Sequence, residues 1–324
     1  MRKILVLILL TSNLGNTQIS ITDSISNYPV SYATISFGNG NGIFANDEGQ
    51  FTFTRKIYPD IDSLFISALG FKNLSIATKT LPKQIYMQPE ADELDEVLIG
   101  VKLDRKFKKE TLKPYLDDDY YKCWLPTIES EIAVYFPKTT TKDQKLSHVL
   151  FPIALESKDW KKRKKSNSDK KPFSTLFKVK FYKNENSLPG KVLTFETIVF
   201  RATEKNGDVF ELNVDGYDIY VPENGFFVSL QALGYTDQNG KLLPNKKYKE
   251  IISKNGTVKI PTNFRPLLPF TDKIESPKTY IKRVFIEGNN WIKFQKGNGF
   301  KSNLLNKNLT NYGIGLIYKT FRDE

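Results

Sequence analysis

Side chains suited to acid–base or nucleophilic chemistry are scarce in this chain, which holds one histidine, His148, and one cysteine, Cys123. A single imidazole rules out any metal site or proton relay that needs two. A single thiol rules out thiolate clusters for zinc or iron–sulfur, and an internal disulfide framework. His148 lies in the apolar string KLSHVLFP, which suits a satisfied core or edge histidine, and Cys123 stands beside Trp124, which suits a buried, inert thiol. No His-Glu-x-x-His, Gly-x-Ser-x-Gly, P-loop or Gly-x-Gly-x-x-Gly string occurs. The expectation is a protein with no metal, no cofactor and no catalytic residue, and not an enzyme.

Three softer constellations remain. Asp117, Asp118 and Asp119 form an acidic run that could offer oxygen ligands to calcium, although a solvated acidic turn has the same composition. Tyr217, Tyr220, Phe226, Phe227 and Tyr235 could line a sugar-binding face, but strand spacing suits a core equally. Lys161, Lys162, Arg163, Lys164, Lys165, Lys170 and Lys171 place seven cations in eleven positions. That cluster is either a solvated hairpin loop or a contact for an anionic polymer such as lipopolysaccharide or an acidic glycan. Nucleic acid is not expected, because no stacking motif of the RNA-binding kind accompanies the charge.

The elements that must position these residues read as β-structure. At 324 residues the chain is long enough for two domains, and its 13% aromatic content argues against disorder. No apolar run reaches the roughly 18 residues that a spanning helix needs. Residues 1–17 have the layout of a signal peptide: a basic start, the apolar stretch ILVLILL at 4–10, then small and polar residues. Residues 18–100 carry net charge −5, whereas 101–324 carry +15, and so sharp a shift marks a domain boundary. Short alternating strands separated by Asn-Gly and Asp-Glu-Gly turns fill 33–87, leaving no room for crossover helices. About ten further strand candidates follow, among them 131–136, 146–153, 176–182, 192–200, 208–214, 226–233, 279–286 and 313–320. Residues 101–113 read as a linker or short bridging helix.

The strings PVSYATISF (29–37), GIFANDEGQFTF (42–53) and DSLFISALGFKN (62–73) occur in an order that resembles the carboxypeptidase-regulatory-like domain. That resemblance implies a transthyretin-like Greek-key β-sandwich over residues 18–89, common at the start of exported bacterial envelope proteins. It carries no peptidase activity, since the zinc ligands of such an enzyme are absent. LDEVLI at 94–99 resembles the strand that follows this domain in TonB-dependent transporters, yet the 224 residues after Gly100 lack the serial segments of a membrane barrel. KVKFYKNENSLPGKVL (178–193) and DIYVPENGFFVSLQAL (218–233) resemble the second domain of exported proteins that share the first. The expected architecture is therefore all-β: signal peptide 1–17, sandwich 18–89, linker 90–115, and a larger jelly-roll-like sandwich 116–324. The expected function is surface binding or assembly in the periplasm or at the outer membrane or cell surface of a Gram-negative bacterium. The partner would be a glycan, lipopolysaccharide or an outer-membrane protein, with no transmembrane segment after signal cleavage. The competing expectation is a carbohydrate-active or peptide-processing enzyme built on a carboxylate pair.

Overall fold

The computed structural model describes residues 18–90, 105–159, 169–245, 248–253, 256–288 and 290–322. The expected signal peptide and residues 91–104 of the expected linker lie outside them. The first unit holds seven strands: β1 (Gln18–Asp23), β2 (Thr34–Ser36), β3 (Gly42–Phe44), β4 (Gln50–Thr52), β5 (Ser63–Ser67), β6 (Leu74–Ala77) and β7 (Gln84–Met87). They form a three-stranded sheet, β4-β1-β7, facing a four-stranded sheet, β3-β2-β5-β6. Alternation explains the packing. On β5, Leu64 and Ile66 are buried while Phe65 and Ser67 point to the other face, half-exposed. The turn before β4 has Gly49 at φ 68°, and Asn46 rather than Asp47 bonds it, accepting from the Gln50 N–H at 2.7 Å. One pairing is parallel, β1 with β7. Parallel neighbours need a long connection, and here the whole unit is that connection.

The second unit is a larger sandwich. Its first strands are β8 (Phe107–Leu112), β9 (Cys123–Trp124), β10 (Ser130–Phe136), β11 (Gln144–Pro152), β12 (Ser174–Glu185), β13 (Leu188–Val192), β14 (Ile198–Thr203) and β15 (Val209–Asn213). After them come β16 (Phe226–Tyr235), β17 (Lys249–Ser253), β18 (Gly256–Ile260), β19 (Leu268–Thr271), β20 (Thr279–Arg283), β21 (Ile292–Lys293), β22 (Asn311–Tyr312) and β23 (Gly315–Phe321). A seven-stranded sheet runs β13-β12-β16-β10-β20-β21, with β14 also pairing β12. It packs against the four-stranded sheet β15-β11-β23-β8, and the main core, including Phe151, Phe177, Phe181, Phe226 and Leu316, lies between them. The stretch 192–200 is two strands, β13 and β14, not one. Within the segment expected as a connector, Phe107–Leu112 is an extended edge strand on β23, not a helix. Its sequence, FKKETL, puts lysines on that edge, where charge discourages further pairing.

The two units share side chains instead of meeting at a loose linker. Tyr248 enters the core of the first unit, where its hydroxyl donates to the Gly42 carbonyl (3.1 Å) and accepts from the Gly42 N–H (2.9 Å). Phe44 packs with Phe285, Phe264, Leu233 and Leu176 in a cluster drawn from both units. Ser36 Oγ donates to the Phe285 carbonyl at 2.7 Å, and Lys241–Glu48 (3.0 Å) and Lys259–Asp60 (2.6 Å) add exposed ion pairs.

Gly42 is where these contacts converge, because a Cβ there would collide with the Ile35 carbonyl and the Phe285 ring. Backbone on one side and a buried ring on the other leave nothing to yield. Gly42→Ala is expected to destabilise the protein by about 1–3 kcal/mol, read as a lowered urea midpoint. An unchanged midpoint would mean that β3 does not seat on Phe285 as described.

Candidate functional site

The two faces of the seven-stranded sheet have opposite characters. Ile132, Val134 and Phe136 on β10, Phe177, Val179 and Phe181 on β12, and Val228 and Leu230 on β16 point into the core. Strand alternation sends their neighbours to the other face: Glu131, Ala133 and Tyr135 on β10; Lys178, Lys180 and Tyr182 on β12; Phe227, Ser229 and Gln231 on β16; Tyr280 and Lys282 on β20. An antiparallel sheet commonly leaves such a face in water. Here much of it is sealed: Ser229 and Phe227 are fully buried, and Trp291 lies edge-on to Tyr182 with ring centroids 5.6 Å apart.

Glu131 is the centre of this face and is 3% exposed. It accepts from Tyr182 Oη at 2.8 Å and Ser229 Oγ at 2.6 Å, and Lys180 Nζ lies 3.7 Å from its second oxygen. Burial alone would raise its pKa, but Lys180, the two hydroxyls and Lys282 opposite it on β20 outweigh that and hold the carboxyl below its usual range. Lys178, 9% exposed, donates to the Tyr32 carbonyl of the first unit at 2.8 Å and lies 5.6 Å from the Phe44 ring centre. Burial, reinforced by Lys180 and only partly opposed by Glu131, pushes its amine down to about 7. Glu129, 2% exposed, has no hydrogen-bond partner on either oxygen. Burial first and Glu129 second push the neighbouring Tyr248 phenol up, while its hydrogen bonds go to Gly42.

A cavity flanks each end of this face. Towards the first unit, a cleft of about 400 Å³ is lined by Thr34, Ser36, Phe65, Ser67, Asn73 and Ser75 on one side, and by Lys282, Val284, Ile286 and Glu287 on the other. At the far end, a cavity of about 240 Å³ is lined by Tyr135, Asn184, Phe227, Lys278, Tyr280 and Lys293, with Ser187, Ser276 and Pro277. The residues of this face are not among those singled out from sequence. The signal was present in K-V-K-F-Y at 178–182 and E-I-A-V-Y at 131–135, where charge alternates with apolar residues on a strand that a sandwich must bury.

The residues that were singled out lie elsewhere. Lys161, Lys162, Arg163, Lys164 and Lys165 lie outside the described residues. Lys170 forms a bridge to Ser157, and Lys171 Nζ pairs at 3.1 Å with Glu156, whose side chain is 1% exposed and also bonded by Arg265. Burial raises the Glu156 carboxyl, but Arg265 and Lys171 bring it below its ordinary range, so Lys171 is committed to an internal pair. His148 follows a bulge on β11 that buries Ser147; its Nδ1 shares a 2.7 Å hydrogen bond with Ser147 Oγ, and its Nε2 lies 3.7 Å from Glu211. Ser147 is 2% exposed, so no acyl substrate can reach its hydroxyl. Cys123 is buried, its thiol donates to the Asp119 carbonyl at 3.3 Å, and burial and then the acidic run push its pKa up. Asp117 pairs with Lys122 at 2.9 Å and Asp119 accepts from the Tyr121 N–H at 3.0 Å, so the acidic run closes a turn on itself. Among the described residues no group of three or more His, Cys, Asp or Glu is placed to hold a metal ion. Phe226 and Phe227 are fully buried, while Tyr217, Tyr220 and Tyr235 are half-buried, so these five form no common exposed platform.

Lys178 gives a pH signature. Below about pH 7 the folded amine carries its proton and the cost of burying that charge is present in full. Between 7 and 10.5 the folded amine is neutral and the unfolded one charged, so stability rises with pH. Wild type is expected to gain roughly 1 kcal/mol per pH unit between pH 7 and 9 relative to Lys178→Met. Urea titrations of both proteins across that range check it. Parallel curves would mean that the amine is not buried at the junction.

Comparisons with known proteins give little to set beside this geometry. No family model matches the chain, and no curated protein matches it. Among solved structures it is similar to one described as the crystal structure of the cysteine protease and lectin-like domains of Cwp84, a surface layer associated protein of Clostridium difficile. The identity is 12% and the TM-score 0.31, over 65% of this chain and 36% of that one, so the chain spans about a third of that structure's length.

Proposed function

We propose that this chain is an exported, non-catalytic binding module of a Gram-negative envelope, acting in the periplasm or at the cell surface on an anionic polymer such as lipopolysaccharide or an acidic glycan. The first unit would be the carboxypeptidase-regulatory-like element. Its small two-sheet sandwich over residues 18–90, closed by pairing of its first and last strands, supports that assignment.

One observation carries the reading. Three carboxylates of the basic unit are each held by cations of the same unit. Glu131 has Lys180, Glu156 has Arg265 and Lys171, and Asp215 has Lys319 (2.6 Å) and Lys145 (3.7 Å). Each of these acids is held below its ordinary range despite burial, whereas a general acid at neutral pH needs a carboxyl raised above it. Net charge of +15 over residues 101–324 then steers anionic partners, with no site yet implied.

The test uses the cation-rich segment. Replacing Lys161, Lys162, Arg163, Lys164 and Lys165 with Ser is expected to change stability by no more than about 0.5 kcal/mol. The same change should lower retention on immobilised lipopolysaccharide or heparin by a clear salt step, because exposed charges are screened beyond about 8 Å at physiological ionic strength. Wild-type protein that passes both columns unretained at low salt, or that cleaves a glycan or peptide, would overturn the reading.

A further inference from the structure

We propose that the cavity of about 240 Å³ beside Tyr135 is a binding site for an acidic sugar, a hydroxylated ring bearing a carboxylate or phosphate. The inference rests on the anionic-polymer reading above and gives that polymer a specific point of contact.

Charge comes first. Lys278 and Lys293 line the cavity, and no Asp or Glu does. Neither lysine has a carboxylate within 4 Å among the described residues. Of the other half-buried lysines in this unit, Lys145 and Lys319 share Asp215 and Lys180 has Glu131, whereas Lys282 in the other cleft likewise has no carboxylate within 4 Å among the described residues. Lys293 instead lies 5.7 Å from the Tyr280 ring centre, a contact that orients an ammonium without neutralising it. Two half-buried cations facing one cavity with no counter-ion make a site in which an oxyanion would complete the charge balance.

The polar rim is fixed in advance. Asn184 Nδ2 and the Tyr135 hydroxyl both donate to the Asn224 carbonyl, at 2.8 and 2.9 Å, and Asn224 Nδ2 donates back to the Asn184 carbonyl at 2.6 Å. That lock leaves Asn184 Oδ1 enclosed and without a partner, an unmet acceptor behind the rim. Lys278 is held at its backbone, its N–H donating to Asn311 Oδ1 at 2.6 Å and its carbonyl accepting from the Tyr135 N–H at 2.9 Å. Tyr135 is half-buried, and its ring lies 5.2 Å from that of Phe227, so it can present a flat apolar surface to the C–H face of a sugar. The volume is below the roughly 300 Å³ at which drug-sized sites begin, which suits a single ring.

The experiment is calorimetric titration of the full chain, on the background with Ser at 161–165 so that the cation-rich segment contributes nothing. The probes are trigalacturonate for the carboxylate, glucose 6-phosphate for the phosphate and maltotriose as the neutral control. At least one acidic probe should bind, maltotriose should not, and Lys278→Gln with Lys293→Gln should weaken binding at least tenfold with an unchanged melting temperature. Lys278→Arg with Lys293→Arg should restore most of the affinity. If the double Gln variant melts early, the single Gln variants are read in the same way. Equal affinity in wild type and Gln variants, or no acidic probe bound by a wild type still retained on heparin, overturns the pocket and leaves the polymer reading standing. Failure of the protein with Lys161, Lys162, Arg163, Lys164 and Lys165 intact to be retained on heparin as well overturns both.

Discussion

Glu131 is a carboxylate shut between a sheet and the groups that cover it, and much of the molecule is arranged to make that tolerable. A buried acid is destabilising unless cations and hydrogen-bond donors replace the water it has lost. The seven-stranded sheet supplies them across three strands: Tyr182 and Lys180 from β12, Ser229 from β16 and Lys282 from β20. Each donor is held by the register that places the apolar residues on the opposite face. A one-residue slip of β12 would turn Lys180 into the core and Val179 onto Glu131, so the ionic centre and the hydrophobic core specify the same pairing.

That constraint extends into the first unit. Lys178 lies one position along the same face from Lys180, where burial first and the second ammonium next disfavour its charge, and its hydrogen bond goes to the Tyr32 carbonyl across the junction. With Tyr248 inserted at Gly42 and Phe44 packed on Phe285, the first unit acts as a lid over one end of the polar face. Charge reports what faces water, whereas the junction consists of aromatic and backbone groups that are silent in a charge count.

The limits of the sequence follow from the same physics. Strand-forming composition and turn chemistry locate β5, β10, β11, β12, β16 and β23, of which β5 alternates cleanly while β16 is buried on both faces. β8 escapes, since an exposed edge strand written FKKETL has no apolar face to announce it. β13 and β14 merge into one segment because the residues between them, LTFET at 193–197, carry no Gly or Pro to mark the break. The site fares worse. Lysines at 178 and 180 read as solvated charge until the partner strands show that Glu131 lies beside them. The aromatic residues of 217–235 read as a platform until burial shows Phe226 and Phe227 facing opposite sides of one strand. A long-range constellation is written in pairings that no local window contains.

The two ends of the polar face then differ in a way that matters for recognition. At the end covered by the first unit one unmatched group is Glu129, a carboxyl without a hydrogen bond and 2% exposed. Sealed in protein, it is out of a ligand's reach. At the far end the unmatched groups are Lys278 and Lys293, and they face a cavity. A cation that has lost part of its water but keeps access to solvent can be completed by a ligand, and one sealed in protein cannot. What separates an internal liability from a binding surface here is the covering layer. The first unit and Trp291 close one part of the face, and the proposed site lies at the part left open.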